Sequence, residues 1–427
     1  MKKRISVYTL GCKLNFSETD VIARSFIEKG YELVPFGKEA DVSIINTCTV
    51  TAQGERKSKF AVKKAHKVSP DAKIIVVGCA SQINPTRFQK IEGVDIVIGN
   101  INKTKVYDLL EQKNIDSNQY SCDINLIENF EHAYSVEMRT RSFLKIQDGC
   151  DYHCTYCTIP KARGKSRNDT ISKIVEDAYN IAERGVKEII LTGVNIGDFG
   201  KSTGETFLQL IKELDKVEGI ERYRISSIEP NLLNDEIINF VANSQKFMPH
   251  FHIPLQSGSD DVLKLMKRRY NTSRFADRVL KAYNTIPDAF FGIDVIVGFP
   301  GETDENFEET YALLKHLPIS FLHIFPYSDR NGTPASKMKP KIPSEQIKNR
   351  EIKLKKLSDK KHLEFYQKYI GQNKKVLFEQ KENDGLFVGY TDNYLRVKVK
   401  TEENLKNKIL NVQLLELRDG FIYGNYK

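Results

Sequence analysis

A chain of 427 residues has room for two to four domains and an ample core. It holds no apolar run of membrane-spanning length. Its basic start, Met1-Lys2-Lys3-Arg4, leads into a strand-like segment instead of a signal peptide's apolar stretch, so a soluble cytoplasmic protein is expected. Seven cysteines, odd in number and widely spread, argue against a secreted disulfide framework and for metal or catalytic use in a reducing compartment. The net charge of +9 leans toward a polyanionic partner without deciding for one.

Up to about residue 110, short β-branched runs alternate with amphipathic stretches. Residues 5–10, 42–45, 73–77 and 95–98 read as strands, and 17–29 and 51–67 as helices, the first closed by Gly30. That alternation predicts a parallel sheet with helices on its faces. Cys12, Cys48 and Cys79 each fall just past the C-terminal end of a predicted strand. In open α/β sheets these strand ends form the crevice where ligands bind, so three thiols far apart in sequence are expected to meet at one site. Such a site would hold an iron–sulfur cluster with one open iron. Three unrelated buried cysteines, acting as small hydrophobes, are the plainer alternative.

Residues 112–138 are polar, lack strong periodicity and read as a linker with room for one strand. Cys122 lies there without a partner motif and is expected not to be a ligand. From residue 142 the alternation resumes, with strands at 142–147, 188–192, 223–227, 250–255, 291–297 and 321–325. Helices fall between them, for example at 170–184, capped by Asp169 or Thr170, and at 304–316. Six βα repeats predict a partial barrel with its active site at the strands' C-terminal rim.

The first of these strands delivers the loop Cys150-Asp151-Tyr152-His153-Cys154-Thr155-Tyr156-Cys157. Its thiols, at spacings of four and three residues, can be aimed at one point by a single loop. Three cysteines with no comfortable fourth ligand (His153 adjoins Cys154) suit a [4Fe–4S] cluster whose fourth iron stays open for chemistry. Structural zinc is the alternative, its fourth ligand arriving from elsewhere in the chain.

Other rim segments are polar. Ser226, Glu229 and Gln256 offer groups suited to a ribose or a carboxylate, and Gly298 and Gly301 allow close backbone approach. Past the cysteine loop, a basic run at 160–167 includes Arg163, placed to grip a carboxylate or a nucleic-acid phosphate. A long helix opening at Pro343-Ser344-Glu345 sets lysines and arginines opposite an apolar stripe, a face that can be solvated or can track a phosphate backbone. After about residue 372 come five short strands, at 374–379, 386–391, 395–399, 409–417 and 420–426. With turns at Asp384-Gly385 and Asp419-Gly420 they predict a small OB-like barrel, on which Tyr390, Tyr394 and Arg396 are candidates to stack on RNA.

The spacing C-x3-C-x-Tyr-C at Cys150 to Cys157 resembles the cluster loop of the radical S-adenosylmethionine (SAM) enzymes. Thr9-Leu10-Gly11-Cys12-Lys13-Leu14-Asn15, Asn46-Thr47-Cys48 and Gly78-Cys79-Ala80 resemble the N-terminal domain of the methylthiotransferases within that group, and the resemblance spans essentially the whole chain. It implies an α/β architecture. A Rossmann-like parallel-sheet domain (1–111) and a linker (112–138) precede a (β/α)6 partial TIM barrel with its basic C-terminal helix (139–369), and a TRAM domain (370–427) ends the chain.

The same resemblance implies two [4Fe–4S] clusters and SAM as cofactors. Cys150, Cys154 and Cys157 are then the catalytic cysteines, on whose cluster one SAM is cleaved to a 5′-deoxyadenosyl radical. Cys12, Cys48 and Cys79 hold the second cluster, carrying a sulfur that another SAM methylates. SAM contacts are expected at Gly193, Ser226, Glu229, Gln256 and Asp294, with Arg163 on the SAM carboxylate. Asn195 stands where the family often has an acid, and is not expected as a ligand.

Within the family, Gly11-Cys12-Lys13-Leu14-Asn15-Phe16-Ser17-Glu18-Thr19 and Ile159-Pro160-Lys161-Ala162-Arg163-Gly164 resemble one branch. That branch converts N6-threonylcarbamoyladenosine at position 37 of transfer RNA to its 2-methylthio derivative. Branches acting on isopentenyladenosine or on a ribosomal-protein aspartate are the alternatives, and a non-catalytic, metal-stapled RNA-binding protein is the alternative of a different class. The expected partners are the tRNA anticodon stem-loop, a reducing electron donor of flavodoxin or ferredoxin type and a sulfur donor, with no membrane. Because the threonylcarbamoyl group carries a carboxylate, a cationic substrate pocket is expected near the two clusters.

Overall fold

The structure, a computed structural model, describes residues 2–111, 119–120, 123–382 and 384–426. Six parallel strands form the N-terminal sheet: β1 (Arg4–Thr9), β2 (Glu32–Val34), β3 (Val42–Thr47), β4 (Lys73–Gly78), β5 (Ile96–Ile98) and β6 (Gln119–Tyr120), in the order β2-β1-β3-β4-β5-β6. The inner strands read as near-continuous apolar runs because both faces are covered; all six residues of β3 are buried. Ile5 lies opposite Val42, and Val42 opposite Lys73.

One feature departs from the sequence reading, and another fills the one strand it left room for. The first helix spans Lys13–Glu28 and starts earlier than expected, because extended Cys12 is its N-cap, while Ser17, where the helix was expected to begin, turns its hydroxyl onto the Leu14 carbonyl inside the helix. Within the expected linker, β6 adds a strand to the sheet, and the Lys145 N–H donates to the Ala133 carbonyl, so residues before 139 already pair with the central domain. Cys122 lies outside the described residues.

The central domain has six parallel strands: β7 (Ser142–Lys145), β8 (Glu188–Thr192), β9 (Arg222–Ile225), β10 (His250–Gln256), β11 (Phe290–Val297) and β12 (Phe321–Pro326). They make two three-stranded sheets that meet where Ser227 bridges His252, giving an open partial barrel. Its core packs strand residues such as Leu191 and Ile293 against helix residues such as Ile174 and Leu210. The helix Asp304–His316 begins with a Thr303–Asn306 capping box, which satisfies two otherwise orphaned N-terminal donors. Among the described residues no helix is long and apolar enough to cross a membrane.

Strands β13 (Asn373–Lys381), β14 (Leu386–Thr391), β15 (Arg396–Lys400), β16 (Ile409–Arg418) and β17 (Phe421–Tyr426) close a barrel in the order β13-β14-β15-β17-β16. The Asp419-Gly420 turn has both residues at positive φ, 53° and 75°, as a tight type I′ hairpin requires. This small barrel plugs the N-terminal end of the central one. Arg224 donates to the carbonyls of Asp392 and Thr391, and the Tyr394 ring packs 4.6 Å from His250.

That placement corrects the expected RNA-stacking set. Tyr390 and Tyr394 lie under the Arg141 guanidinium, at 4.4 and 5.7 Å, and Arg396 lies over Phe421 at 4.2 Å, so all three are committed within the protein. The long helix, Ser344–Gln367, is likewise less available than its sequence suggests. Arg350 is buried on Glu302, Lys353 pairs with Glu308 and Lys355 with Asp359.

Candidate functional site

The chain leaves β1 toward β2 on one side and β3 toward β4 on the other, which opens a crevice between the ends of β1 and β3. Cys12 and Cys48 sit at those two ends, and Cys79 starts the short helix after β4. Gly11, at φ 101°, makes the approach possible: a Cβ on it would lie 3.0 Å from the Cys48 Sγ. Asn15 ties both strand ends together, its Nδ2 donating to the carbonyls of Leu10 (2.6 Å) and Thr47 (3.0 Å). Cys48 and Cys79 are buried, whereas Cys12 faces the crevice. Burial pushes the Cys48 thiol up to about 12, with Cys79 and Cys12 adding to the effect, and burial also raises Cys12.

The second centre is built by one loop. Gln147, at the end of β7, donates to the carbonyls of Asp148 (2.9 Å) and Gly149 (2.8 Å), while its Oε1 accepts from the N–H groups of Val194 and Asn195 beyond β8. Gly149, at φ 68°, lies so close to Lys165 that a Cβ would overlap its carbonyl oxygen. Burial pushes the Cys150 and Cys157 thiols up to about 12, with the other loop cysteines adding to the shift.

In both centres, donors aim at sulfur. The N–H of Val50 points at Cys48, that of Tyr152 at Cys150 and that of Ile159 at Cys157, each at 3.4 Å, and Arg268 Nη1 reaches Cys154 at 3.1 Å. Such donors stabilise thiolates, which these buried sites favour only beside a cation. Tetrahedral zinc, with Zn–S near ~2.3 Å, would draw its sulfurs to within about 4 Å of one another. Among the described residues, the one trio of metal-ligating side chains with donor atoms within 4.8 Å of each other is His252, Asp294 and His323. Neither cysteine triple is gathered that closely, and their all-sulfur donor sets fit an iron–sulfur cluster.

A buried ionic network joins the two centres. Arg163 Nη1 and Nη2 each reach a Glu18 carboxylate oxygen at 3.0 Å, and Nη1 also reaches Asp148 Oδ1 at 3.0 Å and Nη2 Asn15 Oδ1 at 2.7 Å. Burial opposes charge on Glu18, yet Arg163, Lys103 and Lys145 hold its carboxyl below the usual carboxylate range. Asp148 is held low against burial by Lys145, Arg163 and Arg167. Asn100 adds a second tie, its Nδ2 lying 2.6 Å from the Ala162 carbonyl and 3.5 Å from the Cys79 Sγ.

The expectation that Arg163 grips a SAM carboxylate is therefore corrected. Its guanidinium is buried and engaged by the domain junction.

The other expected contacts surround two cavities. Gly193 and Ser226 line one of about 340 Å³ together with Cys12. Gln256, at φ 65°, and Asp294 line another of about 240 Å³ beside Tyr156 in the cysteine loop. His252 lines the first cavity and bonds Asp294, on the second, at 2.6 Å, so the pair is the wall between them. Burial, with His252 nearby, lowers the neighbouring His323 to about 4. Glu229 sits apart from these cavity walls and is tied to Arg268, which itself touches Cys154. Asn195 donates its side-chain N–H to Asp198.

Sequence reasoning missed Arg268, Gln147 and Asn100. Arg268 stands in an ordinary Lys267-Arg268-Arg269 run, and nothing local marks it as the partner of a cysteine 114 residues away.

Comparisons with known proteins agree with this arrangement. The Radical SAM superfamily matches residues 144–314, and the Uncharacterized protein family UPF0004 matches residues 4–99. A threonylcarbamoyladenosine tRNA methylthiotransferase, MtaB, of Bacillus subtilis (strain 168) is 41% identical, over 98% of this chain and 95% of its own length. A tRNA-2-methylthio-N(6)-dimethylallyladenosine synthase of Methylacidiphilum infernorum is 32% identical, over 98% of this chain and 94% of its own. Among solved structures, the radical S-adenosylmethionine methyltransferase TsrM of Kitasatospora setae shares the fold, with a TM-score of 0.57 at 12% identity, over 78% of this chain and 77% of that one.

Proposed function

The chain belongs to the radical SAM methylthiotransferases of transfer RNA, and we propose that it converts N6-threonylcarbamoyladenosine at position 37 to 2-methylthio-N6-threonylcarbamoyladenosine. The observation that carries this reading is the pair of cysteine triples at the C-terminal strand ends of two domains, locked face to face by Arg163 and Asn100. When bound, the clusters supply electron transfer to SAM at one triple and a methylatable sulfur at the other.

Cys150, Cys154 and Cys157 hold the first cluster in this proposal, and Cys12, Cys48 and Cys79 the second. Gly193, Ser226, Gln256 and Asp294 then position SAM and the target base between them. The residues' own work is placement, because an aromatic C–H bond has no useful acidity at neutral pH and the two reacting groups must be held at a fixed separation. The ionic network fixes that separation: Glu18 and Asn15 belong to the helix that begins at Cys12, and Asp148 immediately precedes the cysteine loop. Burial of Cys48, Cys79 and Cys154 keeps bulk water from half of the six sulfur ligands.

A groove of about 500 Å³ runs from Lys381 and Lys406 of the C-terminal barrel past Arg139 and Arg141. It shares Arg139 and Phe143 with the cavity at Cys12, and we assign it to the phosphates and loop of the anticodon arm. Domain limits at 1–111, 139–369 and 370–427, a cytoplasmic location with the tRNA pool, a flavodoxin- or ferredoxin-type electron donor and a separate sulfur donor complete the proposal.

Nucleoside mass spectrometry of tRNA from a deletion strain tests it. The methylthiolated threonylcarbamoyl nucleoside is expected to vanish and its precursor to accumulate. An unchanged level, or loss of the methylthiolated isopentenyl nucleoside instead, contradicts the assignment.

A further inference from the structure

Two cations in the crevice lack an anionic partner. The buried cations around them are matched: Arg163 by Glu18 and Asp148, Lys103 by Glu18, Lys145 and Arg167 by Asp148, and Arg268 by Glu229. Lys13 and Arg139 line the cavity of about 340 Å³ that also contains Cys12 and Ser226, and neither makes a hydrogen bond or ion pair with any described residue. The Arg139 guanidinium lies 4.2 Å over the Phe16 ring and 5.2 Å from that of Phe143. Stacking fixes its plane while leaving its N–H edge free, the presentation that suits a two-point grip on a carboxylate. With no described carboxylate in ion-pair contact, each gains from an anion that enters the cavity beside it.

We infer that Lys13 and Arg139 form the subsite for the carboxylate of the threonylcarbamoyl group, an inference that rests on the substrate reading above. The cavity places that carboxylate beside Cys12 on one wall and Gly193 and Ser226 on the other, so gripping it brings the attached purine between the sulfur-bearing and SAM-binding sides. The neutral isopentenyl group leaves both cations desolvated and unpaired. A site built around an ionic partner rejects a ligand that lacks it far more strongly than an apolar pocket rejects a misfit.

The test uses cluster-loaded full-length protein and two synthetic anticodon stem-loops, one carrying N6-threonylcarbamoyladenosine and one its neutral methyl ester. Wild type is expected to bind the free acid at least about tenfold more tightly than the ester, the range for a hydrogen bond to a charged group. Arg139→Gln and Lys13→Gln each shrink that ratio toward one, and Arg139→Lys keeps part of it. A ratio near one in wild type, or an undiminished ratio in both glutamine variants, overturns the subsite. Product formation separates the two levels: if wild type methylthiolates the free-acid stem-loop, the substrate reading stands whatever the ratio shows. If it does not, the reading and the subsite fall together.

Discussion

The two cysteine centres are made in opposite ways. Cys150, Cys154 and Cys157 come from one loop of eight residues, whose shape is set by its own backbone and by Gln147 beneath it. Cys12, Cys48 and Cys79 come from three strand ends and exist only once the parallel sheet has assembled in the order β2-β1-β3-β4. A local centre can be recognised from spacing alone; a topological one demands that strand boundaries be read first. Their surroundings differ as well. Arg268 reaches a sulfur of the loop centre directly, whereas Arg163 lies beside the strand-end centre with its donors on carboxylates and an amide.

The largest effect separates the two roles at once. Cys154→Ala is expected to abolish both 5′-deoxyadenosine formation and methylthio product, as read by chromatography of anaerobic reactions. Continued 5′-deoxyadenosine formation would show that the loop is not where SAM is cleaved. Cys48→Ala should lose the methylthio product while retaining SAM cleavage, because it removes a ligand from the other centre only. If both variants behaved alike, the division of labour between loop and strand ends would be wrong.

The junction between the centres gives the next effect. Arg163→Ala removes a cation shared by Glu18 and Asp148 in a dry interface, and because Lys103, Lys145 and Arg167 still pair with those carboxylates the cost is expected below the about 3–5 kcal/mol of breaking an isolated buried pair. A drop in the denaturant midpoint of the apo protein is the readout; an unchanged midpoint would mean that the network does not hold the domains together. A smaller effect follows from pH. The Glu18 and Asp148 carboxyls are held below their ordinary range, so the unfolded chain binds protons more readily than the folded one. The stability they contribute is present above the unfolded carboxylate values near ~4 and is lost as pH falls below them. Glu18→Gln should therefore show a shallower loss of stability between about pH 5 and 3 than wild type.

Much of this is legible in the sequence, and the reasons for the remainder are physical. The β-branched run at 188–192 and the helical stretch at 304–316 are legible to the residue. Repeated placement after predicted strands was enough to group Cys12, Cys48 and Cys79. Arg163 was misassigned because its partner Glu18 lies 145 residues upstream, and a local basic run carries no sign of that carboxylate. Tyr390 and Tyr394 looked like an RNA platform for a related reason: the surface that covers them, Arg141 and His250, belongs to another domain. Lys13 was visible as part of a motif, but its want of a partner shows only when every neighbouring carboxylate has been assigned.

The most direct measurement is the iron and sulfide content of anaerobically reconstituted protein, taken for wild type and for variants with each cysteine triple changed to alanine. Two independent centres predict about eight of each in wild type and about four in either triple variant. About four in wild type, or loss of all iron on removing only one triple, would contradict the two-centre arrangement on which the proposed chemistry depends.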